Sequence, residues 1–393
     1  MTVARKKLKI GICIDVFDAV NGGVISTRRI SHMLAERGHE VFIFSIHAEK
    51  DDPHFIPLKP IYLPFVKKVM QKLKTPLALP DRKRMRPVFK NLDIVHSMFP
   101  FQLAYTSIRL ARENHIPVLC TFHVQMDHLF NNAGLHWKWL IRAAYHFLIR
   151  TMYNRSDLIL CPSPFAREEL LRYGLKTPSR VLSNGVSDLF TPQVVTRPAS
   201  LSEKFIIVSV GRLTPEKSHH TIIEAIALSK YASRIQLMLF GEGPLRDQLL
   251  HQGAILPNPV LIELITQEKL ARYFNMADLY VHASEIETEG MAPLEAIACG
   301  VPLLVSDSPK SATSQFALDP DFLFRHENAR DLADKLDYWI DRPDQLTSFR
   351  ARYAEKANAY RMNHIVTELE NVYYSLVDEN AKRLQGRDGK IGT

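Results

Sequence analysis

Short apolar runs separated by amphipathic stretches set the pattern of this chain. KLKIGICID (7–15), VFIFS (41–45), DIVHS (93–97), PVLCTFH (117–123) and DLILCPS (157–163) are mostly apolar. Runs of this length read as parallel strands buried on both faces. Between them the apolar positions follow a helical period. One such stretch carries Ile30, Met33 and Leu34 and stops at Gly38, a residue suited to the position just past a helix. The alternation lapses over NGVSDLFTPQVVTRPASLSE (184–203), which gathers Pro, Ser and Thr and reads as a linker. It resumes with FIIVSVG (205–211), a helix near 216–230, IQLMLFG (235–241), a helix from Pro244, DLYVHAS (278–284) and VPLLVSD (301–307). A last amphipathic helix around 362–378 has Ile365, Leu369, Val372 and Tyr373 as its stripe, and the polar tail after it is expected to fray. The pattern predicts an α/β fold of two Rossmann-like domains facing a cleft, 1–196 and 197–371.

Composition adds bounds. A chain of 393 residues exceeds the size at which one core usually keeps growing, and 46% hydrophobic with 23% charged residues is ordinary for a globular protein. No apolar run is long enough to span a bilayer, and MTVARKKLKI lacks a secretory apolar stretch. Cys13, Cys120, Cys161 and Cys299 are scattered without metal-ligand spacing, so reduced, buried thiols in the cytoplasm are expected. The net charge of +8 points to an anionic partner: a nucleotide, a nucleic acid or a membrane surface. No nucleic-acid-binding module is visible, so nucleic acid is not the expected partner.

Candidate chemistry concentrates in the second half. SEIETEGMAPLEAIACG (284–300) places Glu287 on a loop and Glu295 among the first residues of a helix that Pro293 helps to open, with Gly290 permitting close backbone approach. The pair reads either as a pocket for a hydroxyl-rich ligand or as solvated acids around a capped helix. In VGRLTPEKS, Thr214 can cap and Pro215 can open a helix, leaving Arg212 and Lys217 beside free N–H groups, an arrangement suited to a diphosphate. Gly241 and Gly243 in GEGP again precede a helix. Together these describe a nucleotide-sugar site.

The first half is less specific. Gly22 and Gly23 open a helix after the first strand, either for a phosphate to approach or as a tight turn without a ligand. The G-x-G-x-x-G fingerprint of NAD sites is missing. His96 and His123 lie near the C-terminal ends of strands, the edge where open α/β sheets bind ligands, with the case stronger for His123. Lys67, Lys68, Lys72 and Lys74 alternate with apolar residues and lead into Arg82, Lys83, Arg84 and Arg86. This segment is either a membrane-docking face or a solvated basic one. The stretch around Trp137 and Trp139 reads as a buried helix more than as a membrane contact.

GRLTPEK, GEGP and E-x₇-E followed by LEAIACG, with the NGG loop, LAERGHEV and DIVHS, resemble the retaining GT-B glycosyltransferases of family 4, in particular the branch that glucosylates diacylglycerol. The resemblance implies a hexosyltransferase with an acceptor-binding first domain, a donor-binding second and a C-terminal helix of about 372–393 packing back on the first. It implies that Arg212 and Lys217 hold the donor diphosphate, Glu295 the ribose and Glu287 the sugar. Gly22, Gly23, Gly241, Gly243, Gly290, Met291 and Ala292 would complete the donor site. His123 would lie beside the reacting sugar, with Arg212, Lys217 and Glu287 as its catalytic companions. Acceptor or membrane contacts would come from His96, Gln125, Lys67, Lys68, Lys72, Trp137 and Trp139. No D-x-D motif is present, and the resemblance implies transfer without a metal or other cofactor. Glu289 and Met98 stand where many relatives have an aromatic and a His. The expected reaction moves glucose from UDP-glucose to a lipid or glycan hydroxyl, by a cytoplasmic protein at the inner face of the membrane. Surface-polysaccharide or lipid-linked oligosaccharide assembly, a non-catalytic nucleotide-binding protein and a GT-B epimerase are the alternatives.

Overall fold

Each apolar run becomes a parallel strand. The computed structural model describes residues 5–17, 22–46, 52–62, 67, 76–132, 135 and 137–391. The chain divides into two units, residues 1–184 with 362–393, and residues 185–361. The first unit runs β1 (Lys9–Cys13), α1 (Gly22–Glu36), β2 (Glu40–Ser45), β3 (Phe55–Pro57), β4 (Lys59–Ile61), β5 (Leu77–Leu79), α2 (Arg82–Phe89), β6 (Ile94–Ser97), α3 (Gln102–Glu113), β7 (Val118–Thr121), α4 (Met126–Asn132), α5 (Lys138–Thr151), β8 (Leu158–Cys161), α6 (Pro164–Arg172) and β9 (Ser179–Val181). The second has β10 (Phe205–Val210), α7 (His219–Leu228), β11 (Ile235–Phe240), α8 (Arg246–Gly253), β12 (Leu261–Glu263), α9 (Gln267–Met276), β13 (Leu279–His282), β14 (Ile286–Glu287), α10 (Met291–Ala298), β15 (Leu303–Ser306), β16 (Lys310–Ser311), β17 (Leu323–Phe324), α11 (Ala329–Ile340) and α12 (Pro343–Ala357). Helix α13 (Met362–Ile391) then returns to the first unit.

Both main sheets are doubly wound. The orders are β3-β2-β1-β6-β7-β8-β9 and β12-β11-β10-β13-β15-β17. In each, the strand order reverses beside the unit's first strand, between β1 and β6 and between β10 and β13. Ligands of open α/β sheets bind outside the carboxyl ends of the strands at such a switch point. Alternation along β1 assigns its faces: Ile10 and Ile12 join the apolar layer under α1 and α13, while Cys13 joins the opposite one. All four cysteines are free and buried, and burial pushes the Cys120, Cys161 and Cys299 thiols up to about 12.

Three boundaries differ from expectation. The predicted linker is not one at its start, because Val186 and Phe190 are fully buried in the second core, and Val186 N–H donates to Tyr360 O at 2.8 Å. The division therefore falls at 184/185, and the chain leaves the second unit at 361/362 rather than 371/372. The last helix begins at Met362, buries Met362, Val366, Leu369, Val372, Tyr373 and Leu376, and runs through the tail expected to fray. Within the basic segment, Asp81 caps α2 by accepting from the N–H groups of Lys83 and Arg84, and Met85 and Phe89 anchor it. Lys67 is exposed. Lys68 and Lys72 lie outside the described residues.

Asp15, just past β1, is 3% exposed and accepts the Ala78 N–H at 2.9 Å. Burial raises its carboxyl to about 7. A native pKa above the unfolded value gives stability that is full at acid pH and lost as pH rises through the native value. The unfolding temperature should therefore fall between about pH 4 and about pH 7, and Asp15→Asn should flatten that slope in thermal melts.

Candidate functional site

In the second unit two loops leave the switch point, one from β10 and one from β13. The first continues as a ladder: Gly211 N–H donates to Phe240 O at 3.1 Å, Leu213 N–H to Glu242 O at 3.0 Å, and Leu245 N–H to Leu213 O at 3.0 Å. That approach explains the glycines opposite. A Cβ on Gly241 would sit 1.9 Å from the Gly211 carbonyl oxygen, and one on Gly243 would sit 2.5 Å from that of Leu213. The space at both is filled by neighbouring backbone.

Beyond Leu213 the predicted helix does not start. Thr214 gives its hydroxyl to the Glu216 carboxylate at 2.7 Å and does not cap a backbone N–H. Pro215–Lys217 form a single 3₁₀ turn, Ser218 takes a left-handed conformation (φ 47°), and only then does α7 begin. The turn is tied to the second loop, where Glu285 N–H donates to Glu216 O at 2.8 Å and the Ser284 hydroxyl to the same oxygen at 3.2 Å. Ile286 and Glu287 then pair with Lys310 and Ser311. Gly290, at φ 98°, turns the chain into α10, where a Cβ would lie 2.6 Å from Thr313 Cγ2. Met291 and Ala292 are the first residues of α10 and are half-buried, while Glu295, further along it, is 8% exposed.

These loops join opposite charges. Lys217 Nζ forms an ion pair with Glu287 Oε1, and His282 Nε2 meets the same oxygen at 2.9 Å. A carboxylate only accepts, so Nε2 carries the imidazole proton and Nδ1 accepts from the Tyr280 hydroxyl at 3.0 Å. Burial alone would raise the Glu287 carboxyl, but Lys217 and His282 outweigh it and hold the group well below the usual carboxylate range. Burial, with the nearby Lys217, lowers His282 and keeps it neutral, and burial with His282 and Lys217 lowers His219 to about 3. Arg212 pairs with Glu216 at 3.0 Å, the acid almost wholly buried and the guanidinium half-exposed. Two cations beside open N–H groups were expected. The fold supplies two ion pairs whose four charges cancel. Glu216, His282 and Tyr280 were missed. His282 carries the signal already used for His96 and His123, a histidine ending a strand.

In the first unit the candidates separate. Gly22 and Gly23 open α1, and a Cβ on Gly23 would lie 3.4 Å from the His123 ring. Phe99 flanks that ring with centroids 5.7 Å apart. His123 Nε2 is shut from water and has no hydrogen-bond partner among the described residues, and burial lowers the ring to about 4. His96 does not reach an acceptor: it is 2% exposed, with Nε2 on the Thr121 hydroxyl at 2.6 Å and Nδ1 on the Tyr373 hydroxyl at 2.8 Å. It ties α13 to the sheet. Met98 and Gln125 are equally buried, and Gln125 hydrogen-bonds Glu169. Trp137 and Trp139 reverse the expectation of a buried helix. Helix α5 buries Ile141, Tyr145, Leu148 and Ile149, whereas Trp137 and Trp139, stacked at 6.5 Å, are 58% and 69% exposed and Phe147 is 63% exposed. Lys138, Arg142 and Arg150 are exposed on the same helix.

Among the described residues no group of three or more His, Cys, Asp or Glu is placed to hold a metal ion, and no helix is long and apolar enough to cross a membrane.

Comparison with known proteins places these features. The family model for glycosyl transferases group 1 matches residues 195–359, and that for Glycosyltransferase Family 4 matches residues 20–188. An alpha-monoglucosyldiacylglycerol synthase of Streptococcus pneumoniae is 27% identical over 320 residues, 77% of this chain and 72% of the relative. A GDP-mannose-dependent alpha-mannosyltransferase of Corynebacterium glutamicum is 27% identical over 315 residues, 76% of this chain and 72% of that one. Among solved structures, Anabaena HepE in complex with UDP superposes with a TM-score of 0.75 at 14% identity, covering 94% of this chain and all of that one. With two doubly wound sheets of GT-B type and family matches across both units, the chain belongs to the family 4 glycosyltransferases.

Proposed function

We propose that the chain transfers a hexose, glucose from UDP-glucose, to a hydroxyl of a membrane lipid, with retention at the anomeric carbon. The observation that carries this reading is the convergence of Arg212, Lys217, Glu287 and Glu295 on the loops and helix at one switch point. The glucosyldiacylglycerol synthase relative supports glucose and lipid, and the UDP in HepE supports the nucleotide. The mannosyltransferase relative favours a second reading, mannose from GDP-mannose.

In this mechanism an arriving diphosphate gives Lys217 and Arg212 a further anionic partner each. Glu287, relieved of part of its pairing, accepts hydroxyls of the sugar, and Glu295 accepts those of the ribose. As the glycosidic bond breaks, charge grows on the departing phosphate oxygen, and both cations stabilise it more than they stabilise the ground state. His123, neutral and flanked by Gly23, would face the reacting sugar. The cations carry the leaving-group charge, so the reaction needs no metal.

Incubation with a panel of radiolabelled UDP- and GDP-sugars, cell membranes and EDTA, followed by lipid extraction, should give label in lipid from UDP-glucose alone. Label from GDP-mannose selects the second reading. UDP binding without label in any fraction means a non-catalytic protein, and a rate restored only by added divalent metal refutes the metal-free step. Arg212→Ala and Lys217→Ala should each lower turnover by roughly 10²- to 10³-fold. Unchanged transfer in both would remove the donor-site assignment.

We assign the exposed Trp137, Trp139 and Phe147, with Lys138, Arg142 and Arg150 of α5, to an anionic membrane surface. Sedimentation with anionic vesicles should weaken steeply with salt and with Trp137→Ala/Trp139→Ala. Equal binding to neutral vesicles, or none to either, would rule the assignment out.

A further inference from the structure

Glu169 is a carboxylic acid that the transfer mechanism does not use. It sits on α6, is 7% exposed, and its Oε2 is sealed from water. An ionisable group is costly to bury unless something nearby needs its oxygens. The helices around it do not. Tyr145 on α5 stacks on Tyr173 with centroids 4.1 Å apart, and apolar residues of α5 and α6 fill the layer between them. The groups that need an acceptor are the Tyr145 hydroxyl, which donates to Glu169 Oε1 at 2.8 Å, and the Gln125 side chain, which hydrogen-bonds the same carboxyl. The Tyr145 oxygen in turn accepts the Met126 N–H at 3.2 Å. Gln125 closes the turn between β7 and α4, Met126 opens α4, and His123 lies in that turn.

We propose that Glu169 is a positioning residue for transfer: through Tyr145 and Gln125 it fixes residues 123–126, and with them the ring of His123 against Gly23. The consequence for catalysis rests on the reading of His123 as the residue beside the reacting sugar. The positional link itself does not.

Every element packed on Glu169 bears on its charge. Tyr145 reaches it from α5 and Asp127 from α4. Arg172 lies on its own helix, and Tyr173, near Arg142, completes the set. Burial holds the carboxyl up at about 7 against the opposing pull of Tyr145, and Asp127 adds to the rise. Deprotonation therefore puts an anion beside the Asp127 carboxylate inside the turn's support, and the turn must adjust. His123, lowered to about 4, stays neutral over the same range, so a change in its surroundings there reports the turn and not its own titration.

The experiment uses the full chain labelled with ¹³C-histidine. The His123 ring resonance, assigned by its loss in His123→Asn, should shift as pH rises through about 7, and transfer should fall on the same limb. Glu169→Gln, which keeps the shape and stays uncharged, should abolish both changes. Glu169→Ala should lower kcat on the order of 10²-fold with UDP affinity unchanged, since the misplaced turn belongs to the first unit and the donor loops to the second. A His123 resonance that behaves identically in the parent and in folded Glu169→Gln overturns the proposal. Transfer that survives His123→Ala defeats the reading of His123 instead, and the resonance still decides the link.

Discussion

The ion pair between Lys217 and Glu287 is the constraint on which the second unit's loop edge depends. It joins residues 70 positions apart across the switch point of one sheet. For Lys217 to reach Glu287, the chain after β10 must turn early. The 3₁₀ turn and the left-handed Ser218 provide that, at the cost of the helix start that Thr214 and Pro215 suggest. The carbonyl of Glu216, turned outward by the same geometry, then anchors Ser284 and Glu285. Charge follows the same logic. Buried carboxylates need partners, and here Glu216 is held by Arg212 and Glu287 by Lys217 and His282.

His96, His123 and His282 lie at or near the ends of strands and meet three fates. His96 is a core residue whose two nitrogens tie α13 to the first sheet. His123 is wedged between Gly23 and Phe99 with one nitrogen sealed away. His282 donates to the carboxylate of Glu287 while its other nitrogen meets Tyr280. Strand position gives each the same access to the carboxyl edge. The neighbours on other elements decide whether it faces a helix, a turn or an acid.

Buried polar groups do the fixing in both units. His39 links the Leu8 N–H to Glu370 on α13, and Arg37 meets the same carboxylate. Asp15 holds β5, and Glu169 holds the turn after β7. Each such group must find a partner or lose more than a neutral contact would give, so a few long-range pairs determine where the loops lie.

The order of strands and helices was legible because buried parallel strands need short apolar runs and amphipathic helices a 3.6-residue stripe, both local properties. The motifs around Arg212, Lys217, Glu287 and Glu295 were legible for the same reason, as was the family they resemble. Not legible were the pairing of each cation with an acid, the burial of His96 and Gln125, the exposure of Trp137 and Trp139, and the assignment of Val186 and Phe190 to the second core. Each depends on a partner distant in sequence, as His96 depends on Tyr373, 277 residues away. The sequence by itself determined which segments become strands and helices and which residues stand at their ends. Only the tertiary structure decided what those residues touch, because a side chain's partner is set by the packing of whole elements and not by its neighbours along the chain.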